Sequence, residues 1–88
     1  MKILHVIKEK DHYLALSTAL GQREDSSNDI TLLLIHDAVL TREDSLEGLK
    51  VLALKDDAGA RGIKPTCPLI DYQEMLKLIF DSERVICW

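Results

Sequence analysis

The sequence predicts an α/β fold: a single small domain, residues 1–88, with an open, mainly parallel sheet and helices on both faces. Three observations carry this. Apolar runs of strand length at Ile3–Ile7, Ile30–Ile35, Val51–Leu54 and Val85–Trp88 alternate with stretches of helical periodicity. Strands alternating with helices over short connections are crossover units, which are right-handed and pair their strands in parallel. The run from Ile30 to Ile35 is almost continuously apolar, as suits a strand covered on both faces at the centre of a parallel sheet. It breaks at His36-Asp37, a polar pair just past the carboxyl end of a buried strand, the edge where open α/β folds place their sites.

The elements follow in order. Ile3–Ile7 is a strand interrupted only by His5. Asp11 is placed to cap a helix, its carboxylate accepting from first-turn N–H groups. Tyr13, Leu16 and Leu20 fall on one face of that helix, widened by Leu14 and Ala19, and Gly21 supplies a left-handed stop. Gln22–Asp29 holds no apolar residue, and its Ser26, Ser27 and Asn28 favour turns. After the central strand, a short helix is expected between Ala38 and Glu47, with Thr41 and Asp44 resembling a capping box and Gly48 ending it. Val51–Leu54 is the third strand. Asp56 is placed to cap a brief helical turn that closes at Arg61 and Gly62, and two prolines make 64–68 a loop. Leu69 and Ile70 are briefly extended. Asp71 and Glu74 form the best capping box in the chain, and Tyr72, Met75, Leu76, Ile79 and Phe80 then make an apolar helical stripe. Val85–Trp88 is the last strand. There is no internal repeat or low-complexity segment.

Composition excludes several classes. A hydrophobic fraction of 47% suffices for a core, although 88 residues bury a modest share of their surface, so association helps. A net charge of −4 argues against nucleic acid as a direct partner, because phosphate contacts need clustered Lys and Arg. No apolar run approaches the roughly 20 residues that span a bilayer, and the N-terminal apolar run is too short for a signal peptide. The expected location is cytoplasmic, off the membrane, with Cys67 and Cys87 as reduced thiols.

Chemistry-bearing motifs are sparse. The glycines stand at 21, 48, 59 and 62, too scattered for a phosphate loop, and no cofactor site is expected. Neither the cysteines nor His5, His12 and His36 have metal-ligand spacing. Four features have two readings each. His36-Asp37 forms a polar strand-end site, or Asp37 caps the next helix while His36 is a solvated loop residue. Cys67 is a reactive loop thiol with only Lys64 and Arg61 near in sequence to activate it, or a structural cysteine. Cys87, in a terminal strand, suits the core better than a nucleophile. Arg61 binds an anion or carboxylate, or complements the dipole of its helix.

The order of motifs resembles the DsrH/TusB family of sulfur-relay proteins, of DsrEFH-like fold. Ile3-Leu4-His5 resembles the family opening, and Leu33-Leu34-Ile35-His36-Asp37-Ala38-Val39 its apolar strand followed by Asp-Gly-Val. Lys50-Val51-Leu52-Ala53-Leu54, Asp56-Asp57 and Ala60-Arg61-Gly62 resemble its third strand and Ala-Arg-Gly turn. Pro68-Leu69-Ile70-Asp71-Tyr72 resembles the start of its last long helix, and Trp88 the tryptophan ending many members. The resemblance implies a subunit that assembles with TusC- and TusD-like relatives, or with DsrE- and DsrF-like ones. The first complex passes persulfide sulfur toward 2-thiolation of the wobble uridine in certain tRNAs; the second serves sulfur oxidation. In both, the principal carrier cysteine belongs to the TusD or DsrE subunit. Some DsrH members carry another cysteine in the first helix, where this chain has Leu20. Ala38 replaces the usual glycine, and His36 stands where an acidic or amide residue is common.

Three functional classes follow: a non-catalytic subunit of a sulfur-transfer complex, a sulfurtransferase using Cys67 as persulfide carrier, and a stand-alone homodimeric domain of other function. An apolar last strand invites pairing, and Trp is enriched at interfaces, so Trp88 is expected in or beside a subunit contact. The isolated protein is expected to be a homodimer. The alternative is that Trp88 folds back over its own domain.

Overall fold

The structure, a computed structural model, describes all residues 1–88. Its elements are β1 (Lys2–Ile7), α1 (Tyr13–Arg23), β2 (Asp29–Leu34), β3 (Lys50–Leu54), α2 (Lys55–Ala60), β4 (Leu69–Ile70), α3 (Tyr72–Asp81) and β5 (Arg84–Cys87), with two 3-10 turns, His36–Leu40 and Glu43–Leu46, between β2 and β3. The five strands form one all-parallel sheet in the order β4-β3-β2-β1-β5. β2 is the middle strand, as its continuous apolar run predicts. Leu32, Leu33 and Leu34 are buried on it.

Direction of travel places the helices. From β1 to β4 the chain steps steadily toward one edge; from β4 to β5 it returns across the sheet. Right-handed crossovers moving in opposite directions cover opposite faces. Accordingly α1 and the first 3-10 turn pack on one face, where Ala15, Leu16, Ala19, Ala38 and Val39 meet Ile3, Ile7, Ile30, Leu32, Leu34, Val51 and Ala53. α3 covers the other, where Met75, Leu78 and Ile79 lie over Leu4, Leu33 and Ile70. The register explains the split: Ile3, His5 and Ile7 pair with Ile30, Leu32 and Leu34, and alternate residues point to opposite faces.

Local chemistry departs from the sequence expectation at several points. Asp11 does not cap α1. His12 does, its Nδ1 accepting from the Ala15 N–H at 3.2 Å. Asp11 takes a left-handed backbone, φ +53, and ties the loop after β1 to a distant segment. Its N–H donates to Thr41 Oγ1 and its Oδ1 accepts from the Arg42 N–H, both at 3.1 Å. Thr41 is thereby consumed, and the Thr41–Asp44 capping box does not form; two 3-10 turns replace the expected helix. Gly21 lies inside α1, which runs on to Arg23. Of the predicted α1 stripe only Leu16 and Ala19 are buried, joined by Ala15, while Tyr13, Leu14 and Leu20 are exposed. Small residues at 15 and 19 let the helix sit close to the sheet and push the bulky ones to its flanks. α2 begins at Lys55, before Asp56, with no side-chain cap, although Asp56 and Asp57 favour its first turn by charge. At Gly48, φ +80 is a conformation that a side chain resists, and the Arg23 guanidinium donates to the Gly48 carbonyl there.

The capping box of α3 is complete. The Glu74 N–H donates to Asp71 Oδ1 at 2.8 Å, and the Asp71 N–H to Glu74 Oε1 at 3.3 Å. Its stripe, however, is only half used. Met75 and Ile79 face the sheet with Leu78, whereas Tyr72 and Leu76 are each 51% exposed and Phe80 84%. α3 is the only helix on its face, so one flank of the stripe has no neighbour.

Candidate functional site at the carboxyl ends of the strands

In a parallel sheet the carboxyl ends of the strands open a crevice where the winding direction reverses. Here that point lies between β1 and β5. The chain's own Trp88 occupies it. Trp88 Nε1–H donates to His5 Nδ1 at 2.9 Å. The two rings stack with centroids 6.1 Å apart, and His12 leans on the indole from 5.3 Å. His5 Nε2 lies 2.6 Å from Gln22 Oε1. An indole N–H only donates, so His5 Nδ1 is unprotonated and its Nε2–H donates to Gln22. The fully buried imidazole is satisfied on both sides, and no buried side-chain polar atom in the protein lacks a partner.

A second cluster forms past β2. His36 has a left-handed backbone, φ +50, and its N–H donates to Asp57 Oδ2 at 2.8 Å. Left-handed geometry is tolerated by His better than by most residues and concentrates at sites the surroundings hold in place. Asp37 lies inside the 3-10 turn and does not cap it; its Oδ1 accepts from Arg61 Nε at 3.0 Å and forms an ion pair with Arg61 Nη2, also at 3.0 Å. Arg61 Nη1 donates to the Asp57 carbonyl at 3.1 Å, at the end of α2. The structure therefore brings Asp37 and Arg61 together, ties His36 in through its backbone, and adds Asp57. One guanidinium between two carboxylates has no charge left over for an anion. Its clear effect is to lock the turn after β2 onto α2. The Arg61–Asp37 pair is solvent-exposed on the Asp37 side, so Arg61→Ala is expected to cost about 1 kcal/mol, read from a urea midpoint.

Neither thiol takes part in the bonding of either cluster. Cys67 is half-buried in a cleft of about 880 Å³ between the 3-10 turns and the 63–68 loop, lined by Val39, Leu46, Leu49, Val51 and Ile63. Burial pushes its thiol up from the ordinary 9.0; a backbone hydrogen bond offsets part of this, and the Glu43 charge adds to it. Glu43 is held close by accepting from the Thr66 N–H at 3.2 Å. Arg61, which sequence proximity offered as an activator, is committed to Asp37 and Asp57. Cys87 is exposed on the edge strand β5 and is not a core residue. No group of three or more His, Cys, Asp or Glu side chains converges to hold a metal ion. No helix is long and apolar enough to cross a membrane.

No local motif in the sequence marks the His5–Gln22–Trp88 cluster or the role of Asp57. The available signal for the first was a histidine inside an otherwise apolar strand.

Comparison with known proteins fits this geometry. No curated protein matches the sequence. Among solved structures, the crystal structure of the ychN protein from E. coli has the same fold, with a TM-score of 0.80 over 100% of both chains at 19% identity. The family described as DsrH like protein matches residues 2–85, from the first residue of β1 into β5. With every strand and helix of the domain inside or reached by that match, the chain belongs to the DsrH-like family, whose members are subunits of sulfur relays that work with partner subunits.

Proposed function

We propose that the protein is a non-carrier, TusB/DsrH-like subunit of an intracellular persulfide relay, serving 2-thiolation of the tRNA wobble uridine. Its partners are TusC- and TusD-like subunits, and in isolation it is a homodimer. One observation carries the non-carrier part: Cys67, the thiol seated in the cleft, is not set up as a nucleophile. Persulfide transfer needs a thiolate that attacks the outer sulfur of a donor R–S–SH, breaking its S–S bond and releasing R–SH. At Cys67 burial and Glu43 hold the thiol in its protonated form. Position 20 of α1 carries Leu.

The test has two parts. Incubated with a persulfide donor near neutral pH, the isolated protein should gain no sulfur on Cys67 by intact-mass analysis, and iodoacetamide should label Cys67 several-fold more slowly than a free thiol. Labelling should rise only at alkaline pH, because a raised thiol pKa moves the thiolate upward in pH. Stable persulfide on Cys67 would favour the carrier reading. In the native host, affinity capture should bring down same-fold relay subunits, and deletion should abolish the 2-thiolated wobble uridine. Recovery of DsrE- and DsrF-like partners, with tRNA thiolation intact, would assign the chain to the sulfur-oxidation branch.

A further inference from the structure

The two edges of the sheet are unequal. β4 has two residues and follows Pro65 and Pro68, so little of that edge can pair. β5 has four residues, no proline, and Arg84 as its one charge. An edge of this kind leaves alternate N–H and C=O groups unpaired and is a template for another strand.

The uncovered flank of α3 adjoins that same edge. Leu78 and Asp81 border a small cavity with Lys2, Thr31 and Lys50, so this side of α3 faces β1–β3. Tyr72, Leu76 and Phe80, at i, i+4 and i+8, lie on the opposite side of the helix, toward β5. Val85 and Cys87 of β5 point to the α3 face, since they pair in register with Leu4 and Val6. Tyr72, Leu76, Phe80 and Val85 together leave roughly 400 Å² of apolar surface uncovered, taking ~150–250 Å² for a whole aromatic side chain. That is about half of the ~800 Å² per partner in a standard interface. The open strand edge beside it supplies further area.

We propose that this surface, the β5 edge with the Tyr72–Leu76–Phe80 flank of α3, is where a second copy of the chain docks; the inference rests on the homodimer reading and gives it a location. A two-fold axis normal to the sheet pairs β5 with β5 of the partner in antiparallel fashion and continues the sheet across the junction. The same operation keeps both α3 helices on one face and turns their exposed flanks toward each other. The centre of the patch is uncharged, so two identical copies meet no like charges there.

Sedimentation of the wild type and Phe80→Glu decides it. Phe80 is 84% exposed, so the substitution leaves the fold intact, checked by circular dichroism. The expected result is a wild-type dimer whose dissociation constant rises about 30-fold or more in Phe80→Glu, the effect of losing a central aromatic anchor. In a Cys67→Ser background a short bismaleimide should join Cys87 of two copies. A wild-type monomer at 100 µM (about the upper range for a specific weak dimer) would overturn both the homodimer and this surface. A dimer that resists Phe80→Glu and yields no Cys87 cross-link would overturn the surface alone, leaving another occupant, such as a same-fold relay subunit, for this edge.

Discussion

Leu32→Ala lowers the free energy of unfolding by about 3–5 kcal/mol, the upper part of the range for emptying a buried leucine site. Leu32 is 0% exposed at the midpoint of the middle strand. It is paired in register with His5 on one side and Val51 on the other. Above it α1 presents Ala15 and Ala19, which have no length to swing into a void. His5 is held by two hydrogen bonds and does not shift without breaking them. The cavity therefore stays open, and the cost includes both lost transfer energy and lost contacts. Ile79→Ala in α3, at a half-buried position, costs about 1–2 kcal/mol by the same reasoning. Urea denaturation measures both. A Leu32→Ala loss below about 1 kcal/mol would show that β2 is not the centre of the core.

The legible part of the fold was the part written in apolar pattern. The unbroken run before His36 marked the middle strand, because only a strand covered on both faces tolerates such a run. Asp71 and Glu74 announced the start of α3, because a capping box is a purely local device. What could not be read were features whose partners lie far along the chain. Asp11 looks like a helix cap until Thr41 and Arg42 claim it across some thirty residues. Thr41 looks like a cap for the same reason. Each is a good local candidate overruled by a tertiary hydrogen bond, and the loss of both moved the start of α1 and broke the next helix into 3-10 turns.

The site divides along the same line. His36, Asp37 and Arg61 could be singled out because they follow apolar strands or close a helix, and the structure does bring Asp37 to Arg61. The crevice between β1 and β5 could not be located, since the sequence does not say on which edge the last strand joins. Helical periodicity draws the apolar arc of α3 as 72, 75, 76, 79 and 80; the structure packs only Met75 and Ile79 of it on the sheet and adds Leu78. Periodicity could not say that only one helix would cover that face, and so that half the arc would remain exposed. Tyr72, Leu76 and Phe80 are the half of that arc that the chain's own fold leaves unburied.

Trp88→Phe costs about 1–3 kcal/mol, although the ring is retained and only half-buried. The cause is His5. With the indole N–H gone, His5 Nδ1 loses the donor it accepts from, and Gln22 serves the opposite nitrogen. A tautomer shift does not rescue it: the Gln22 amide can flip to donate to Nε2, but the proton on Nδ1 then faces the phenyl ring without an acceptor. Trp88→Ala adds the loss of the ring's contacts with His5 and His12 and costs more, about 3 kcal/mol or above. The decisive comparison is the double variant. Removing both polar partners at once leaves nothing unsatisfied between them, so His5→Leu combined with Trp88→Phe should cost less than the sum of the single changes by about 1 kcal/mol or more. Unfolding is followed by circular dichroism, since Trp88 is the only tryptophan and its variants lose the fluorescence signal. Additive single costs would show that the two side chains do not share a hydrogen bond, and that Trp88 is held by packing alone.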